Sequence, residues 1–222
     1  MADRYTAPQW NKAALLTIDV QEDFGRPGAA TWSPDKELVV PAVARLLGLF
    51  REWGLPVVHI VRLYRPDGSN ADPFRRRLIE SGQPVVAPGT DGAEIVSALK
   101  PSATCRLDAK LLLEGGVQAW SDREWVLYKP RFGAFYATPL EAHLRALGVT
   151  TLVVCGFNFP NCPRATIYEA TERDFRVVMV RDGVSGLYER GIEEIRSIGV
   201  AVMAAEEVAA AVHGNDRTKE GG

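Results

Sequence analysis

Apolar positions along the chain fall into short unbroken runs separated by stretches with a helical period. The first run, Ala13–Val20 (AALLTIDV), is continuous rather than alternating, as a strand buried on both faces should be. In VVPAVARLLGLFREWG, Val43, Leu46, Leu47 and Phe50 recur at i, i+3, i+4 and i+7. This predicts one apolar helix face, ended by Gly54. Pro56–Val61 (PVVHIV) predicts the second strand. Residues 65–92 are rich in Pro, Gly, Asp and Arg and read as loops with one short helix near PFRRRLIE, and EIVSALK reads as another short helix. The segments 64–92 and 105–122 read as loops of unassigned position. Glu124–Lys129 (EWVLYK) predicts a strand. TPLEAHLRALG predicts a helix with Thr138 as N-cap, Pro139 in the first turn and Gly148 at the end. TTLVVCG is a strand followed by a helix bearing Cys162. FRVVMVRDG is a strand, ERGIEEIRSIG a helix, VAVMAA the last strand and EEVAAAVHG a closing helix. Residues 214–222 read as a disordered tail.

Strand and helix alternate about six times. That pattern implies right-handed crossovers and an α/β fold: a Rossmann-like three-layer α/β/α sandwich around a mostly parallel six-stranded sheet. No linker divides the chain, so residues 1–222 read as a single domain. The hydrophobic share of 46% supports a real core. The formal charge of −2 gives no electrostatic case for nucleic acid or an anionic membrane as partner. No apolar stretch approaches the roughly 20 residues of a membrane span, and MADRYTAPQWNK has no signal-peptide core, so a cytoplasmic protein is expected. The three cysteines, Cys105, Cys155 and Cys162, form no CxxC pair, which argues against a disulfide framework.

In open parallel sheets, functional groups gather beyond the carboxyl ends of the strands. Three polar residues stand there: Asp19 after LLTI, Lys129 after WVLY, and Cys162 just past LVVCG. A carboxylate can take a thiol proton, and an ammonium favours both anions. Pro160 pushes Phe159 toward an extended conformation, Asn161 suits an N-cap, and Pro163 falls in the first helical turn. Cys162 therefore starts a helix, where free N–H groups stabilise a thiolate and can hold an oxyanion. The segment is read as exposing and activating the sulfur.

LLTIDVQEDF, YKPRFGAFYATPLEAHLRALGVTTLVVCG and GFNFPNCPRATIYEA resemble, in order and spacing, the isochorismatase-like cysteine hydrolases. That superfamily includes nicotinamidases, N-carbamoylsarcosine amidohydrolases, and ureido-acid and biuret hydrolases. The resemblance covers residues from about 12 to 204. It implies a Cys-Asp-Lys triad of Cys162, Asp19 and Lys129, and a cis peptide at Phe157–Asn158 with the Asn158 and Cys162 N–H groups as oxyanion hole. Phe24 matches a family aromatic at the substrate pocket; Phe132 and Asn161 are further substrate-binding candidates. The reaction implied is cysteine-dependent cleavage of a C–N bond in a small amide or ureido compound through a thioester, without a cofactor, in a homo-oligomer (dimer or tetramer). The alternatives are vinyl-ether hydrolysis, as in isochorismatase proper, and a non-catalytic thiol-bearing module. The chain departs from the common Gly-Val-Ala-Thr-Asp-x-Cys-Val pattern before and after the cysteine, reading Gly-Phe-Asn-Phe-Pro-Asn-Cys-Pro. The loop RLYRPDGSNADPF lacks the histidine of the nicotinamidase metal motif, so no metal is expected.

His59 reads as a satisfied core or strand-end histidine, His143 as structural, and His213 carries little signal. Arg75, Arg76 and Arg77 read as a solvated face, with a substrate carboxylate as the alternative for one of them. GTDG (89–92) lacks the spacing of a phosphate-binding loop, and no GxSxG elbow is present. Cys105 and Cys155 read as packing residues.

Overall fold

A computed structural model describes residues 3–29 and 31–216. Seven strands form one sheet: β1 (Ala13–Ile18), β2 (Val57–Val61), β3 (Val117–Ser121), β4 (Glu124–Tyr128), β5 (Thr151–Gly156), β6 (Arg176–Val184) and β7 (Ala201–Met203), in the order β3-β4-β2-β1-β5-β6-β7. All neighbours pair parallel except the β3–β4 hairpin. Every residue of β1, β2 and β5 is buried, which is why these runs are mostly apolar, with Thr17, His59 and Thr151 the polar exceptions.

Successive side chains of a strand point to opposite faces, so β1 feeds two cores. Ala13 and Leu15 join one with Val43, Leu46, Leu47 and Phe50 of α2 (Pro34–Glu52) and Val208 and Val212 of α8 (Ala205–Asp216). Ala14, Leu16 and Ile18 join the other. There they meet Leu140 and Leu144 of α5 (Leu140–Ala146), Ile167 and Ala170 of α6 (Cys162–Thr171), and Ile195 of α7 (Glu189–Ser197). Each Val, Leu, Ile or Phe side chain among them contributes about 1.5–3 kcal/mol on burial. The result is the expected three-layer α/β/α arrangement.

The sheet has seven strands rather than six. The extra strand, β3, lies inside the segment read as loop. It is an edge strand with no fully buried residue, and its two-residue turn, Asp122-Arg123, has none of the Asn-Gly chemistry that marks a hairpin. The same segment holds α4 (Ala109–Leu113), where Asp108 accepts from the Leu111 N–H at 3.0 Å. Two further short helices are α1 (Glu22–Gly25) and α3 (Pro73–Glu80). EIVSALK forms only a 3₁₀ turn at Ser97–Leu99, because Ile95 is drawn into a bridge with Gln21. The α5 N-cap position is Pro139 rather than Thr138, yet Thr138 Oγ1 still accepts from the Leu140 N–H at 3.3 Å. Of the tail read as disordered, residues 214–216 continue α8, and 217–222 lie outside the described residues. No helix among the described residues is long and apolar enough to cross a membrane.

The connections open a crevice at one end of the sheet. From β1 the chain moves to β2 and on to the β3–β4 edge; it then returns to the other side of β1 as β5, β6 and β7. The switch point lies between the carboxyl ends of β1 and β5, where a doubly wound sheet opens a crevice.

Candidate active site

Asp19 follows β1 directly and sits at φ +54°, a left-handed conformation that Asp tolerates better than most residues. Its N–H donates to the Ile60 carbonyl at 2.9 Å, and the Lys129 N–H donates to Val61 at 3.0 Å, so both residues are stapled to the end of β2 between them. Lys129 Nζ donates to Asp19 Oδ2 at 2.8 Å and to the Arg131 carbonyl at 3.2 Å. Lys129 is 0% exposed and Asp19 3%. Charges this deep persist only when paired and hydrogen-bonded. Asp19 Oδ1 has no hydrogen-bond partner among the described residues.

On the adjacent strand end, Gly156 adopts φ +122°, and a Cβ there would lie 2.1 Å from the Ile18 carbonyl oxygen. Only glycine lets the chain pass so close, and the Phe157 N–H then donates to Ile18 at 2.8 Å. The expected cis peptide at Phe157–Asn158 is absent: this bond is trans. The Phe159 N–H donates to Ser185 at 2.7 Å, and the Asn161 N–H to Asn158 at 3.1 Å. Pro160 and Pro163 carry no N–H. Among residues 157–163, only Asn158 and Cys162 therefore keep an N–H without a protein acceptor. Asn161 occupies the N-cap position of α6 but makes no side-chain cap; its Nδ2 reaches Asn158 Oδ1 at 3.5 Å.

Cys162 is the first residue of α6 and is 9% exposed, so the sulfur is not presented at the surface as expected. Nor is it a ready-made thiolate. Burial above all, then the negative charge of Asp19, push the thiol up to about 12. Lys129 and Arg62 oppose this without prevailing. The resting sulfur is a neutral thiol.

Cys162 and Asp19 open onto a cavity of about 240 Å³, and Phe24, Phe132, Asn158 and Asn161 also line it. Lys129 stands behind Asp19 and does not reach the wall. Thr31, Ser33, Lys36, Arg62, Tyr64 and Phe74, none of which the sequence singles out, share the lining with Phe157 and Arg75. Arg62 is fully engaged. It donates to the Lys129 carbonyl at 3.1 Å, to the Tyr64 hydroxyl at 3.0 Å and to the Asp72 carboxylate. A buried arginine at the end of an apolar strand was the available signal. Burial raises the Tyr64 hydroxyl to about 12, so it remains protonated.

The histidines fall elsewhere. His59 joins Thr17 Oγ1 (2.7 Å) and Glu124 Oε1 (2.7 Å) inside the sheet, and His143 packs edge-on against Trp125. Among the described residues, no group of three or more His, Cys, Asp or Glu side chains is arranged to hold a metal ion.

A model of the isochorismatase domain matches residues 13–113 and 109–207. The chain is 31% identical over 208 residues to a protein of Arabidopsis thaliana named as a probable inactive nicotinamidase, covering 90% of this chain and 96% of that one. It is 32% identical over 180 residues to the maleamate amidohydrolase of Pseudomonas putida, covering 78% and 72%. A crystal structure of an isochorismatase family protein from Desulfovibrio vulgaris superposes with a TM-score of 0.77 at 35% identity, covering 91% of this chain and 98% of that one.

Proposed function

The chain belongs to the isochorismatase domain family, and on that premise we propose that it is a cysteine-dependent amidohydrolase cleaving a C–N bond of a small amide or ureido compound. The observation that carries this reading is the Asp19 carboxylate: one oxygen is held by buried Lys129, the other is unpartnered, and the carboxylate lifts the pKa of the Cys162 thiol in the same cavity.

With the substrate carbonyl over Cys162, Asp19 takes the thiol proton as the sulfur–carbon bond forms. The carbonyl π electrons move to oxygen, where the two unused N–H groups of Asn158 and Cys162 receive the negative charge. The tetrahedral adduct collapses, the C–N bond breaks, and Asp19 returns its proton to the departing ammonia or amine. Water then attacks the thioester. Asp19 removes its proton and afterwards passes it to the sulfur as the carboxylic acid leaves. Lys129 touches no reacting atom; it positions Asp19 and offsets its charge throughout. Phe24, Phe132 and Asn161 form walls against which a small acyl group packs.

A pushed-up thiol suits this scheme. Proton transfer happens only when a bound carbonyl accepts the sulfur, so the resting cysteine is protected from adventitious electrophiles. The test is ammonia release from a panel of carboxamides and ureido acids, for the wild type and for Cys162→Ala. Turnover by the wild type with loss above 10³-fold in the variant is expected. Undiminished turnover without the sulfur would sink the proposal.

A further inference from the structure

Resting on the amidohydrolase reading, we infer that the substrate carries a carboxylate, held at the mouth of the cavity by Lys36 and Arg75, so that the substrate class is short carboxylate-bearing amides.

The argument is a charge inventory. Four charged side chains line the cavity: Asp19, Lys36, Arg62 and Arg75. Asp19 is neutralised by Lys129 and Arg62 by Asp72. Lys36 and Arg75 form no ion pair with any carboxylate among the described residues. Lys36 is only 7% exposed, yet its ammonium donates to a single group, the Thr31 carbonyl. It otherwise faces the rings of Phe24 and Phe157, each centred 5.9 Å away. Burial above all lowers the Lys36 pKa; the negative charge of Asp35 opposes this, the positive charge of Arg75 adds to it, and the charge of Asp19 opposes it more weakly. Arg75 Nε is buried and has no hydrogen-bond partner. Lys36 is buried and Arg75 half-buried, and neither is ion-paired, so a ligand carboxylate supplies the direct partner that both lack.

The elements that carry them hold both groups in place. Lys36 lies in the first turn of α2, a 19-residue helix packed along the sheet. Arg75 lies in the first turn of α3, whose N-cap residue, Asp72, is tied to Arg62 and Tyr64. Phe74, beside Arg75, meets Phe132 with ring centroids 5.4 Å apart, so the charged mouth adjoins an apolar wall. A cavity of about 240 Å³ is below the roughly 300–1,000 Å³ of drug-sized sites. That leaves room for an amide and a carboxylate joined by a short chain.

The experiment compares succinamate, a monoamide with one carboxylate, with butyramide, its neutral counterpart of similar length. The wild-type kcat/KM should favour succinamate by about 10- to 100-fold, the range of a charge-assisted contact. Lys36→Met and Arg75→Gln should each cut that ratio several-fold, and Lys36→Arg should retain it. Equal rates on the two amides, or a ratio untouched by both neutral substitutions, would overturn the assignment. A binding arm needs no turnover. Cys162→Ala protein should bind succinate by calorimetry, more weakly with Lys36→Met added and more tightly than it binds inorganic phosphate. Phosphate binding as tightly as succinate would overturn the carboxylate assignment, and succinate failing to bind would overturn the site. If no amide releases ammonia yet succinate binds through Lys36, the chemistry of the preceding section fails while this site stands.

Discussion

Replacing Asp19 with Asn should make Cys162 a better nucleophile toward a small electrophile while making the enzyme worse. The first half follows from electrostatics: after burial, Asp19 is the largest cause holding the thiol at about 12. At pH 7.5 such a thiol is ionised to about 3 parts in 10⁵, against about one tenth for a free cysteine with pKa near 8.5. A more basic thiolate is intrinsically more reactive, with a Brønsted slope of about 0.4–0.5, which recovers about 40-fold over this difference. The net expectation is that iodoacetamide alkylates Cys162 about 100-fold more slowly than it alkylates N-acetylcysteine. The rate should rise tenfold per pH unit up to at least pH 10, without a plateau. Asp19→Asn removes the charge that favours the protonated form, and leaves Lys129 facing the sulfur unopposed, so its alkylation should be faster by about tenfold or more. Amide hydrolysis by the same variant should fall by about 10²–10⁴-fold, the range for loss of a general base. Site-resolved mass spectrometry, with fully buried Cys155 as internal control, reads both wild type and variant. A plateau below pH 8, or slower alkylation in Asp19→Asn, would refute the reasoning, because either means that the resting sulfur is already an anion.

Lys129→Met strands a buried carboxylate and should cost about 3–5 kcal/mol in urea denaturation, and adding Asp19→Asn should recover most of it; a loss below about 1 kcal/mol would show the pair to be hydrated. Gly156→Ala places a methyl 2.1 Å from the Ile18 carbonyl oxygen at φ +122°, so we expect a loss of at least about 3 kcal/mol and negligible activity, measured by melting and ammonia release. Glu124, bound by Arg51 at 2.7 and 2.9 Å and by His59, is held down at about 2 from the ordinary 4.5. Burial acts against this shift, and the Arg51 and His59 contacts outweigh it. A depressed carboxylate stabilises the fold above its unfolded pKa and loses that contribution as the pH falls through about 2. An acid titration should therefore show about 3 kcal/mol lost between pH 5 and 2 that is missing in Glu124→Gln.

What the sequence made legible was what short-range pattern encodes. The parallel strands β1, β2 and β5 are mostly apolar because both faces are covered, so their runs could be read and the residues at their ends named. Of the three groups placed at strand ends, Asp19 pairs with Lys129 at 2.8 Å, and Asp19 and Cys162 line one cavity. The edge strand β3 was not legible, since half-exposed residues and an Asp-Arg turn leave neither alternation nor a hairpin signature. The electrostatic state of the sulfur was not legible either. Prolines around Cys162 reveal a helix start, which argues for a thiolate, but depth decides the outcome, and depth depends on walls supplied from α2, α3 and the loop after β4. Lys36 escaped notice for the same reason: a lysine in the first turn of a helix reads as solvated until α1 and the β5–α6 loop bring Phe24 and Phe157 against it. Arg75 sits in a triple-arginine run whose solvated look hides one buried Nε.

The central claim is that Cys162 becomes covalently acylated with help from Asp19. Intact-mass spectrometry of enzyme quenched in acid during turnover of an amide substrate tests it directly. The account predicts a species heavier than the free enzyme by the acyl group, mapped to the peptide containing Cys162, labile to hydroxylamine and missing in Cys162→Ala. Steady ammonia release with the sulfur free at every time point, and with Cys162→Ala equally active, would contradict it.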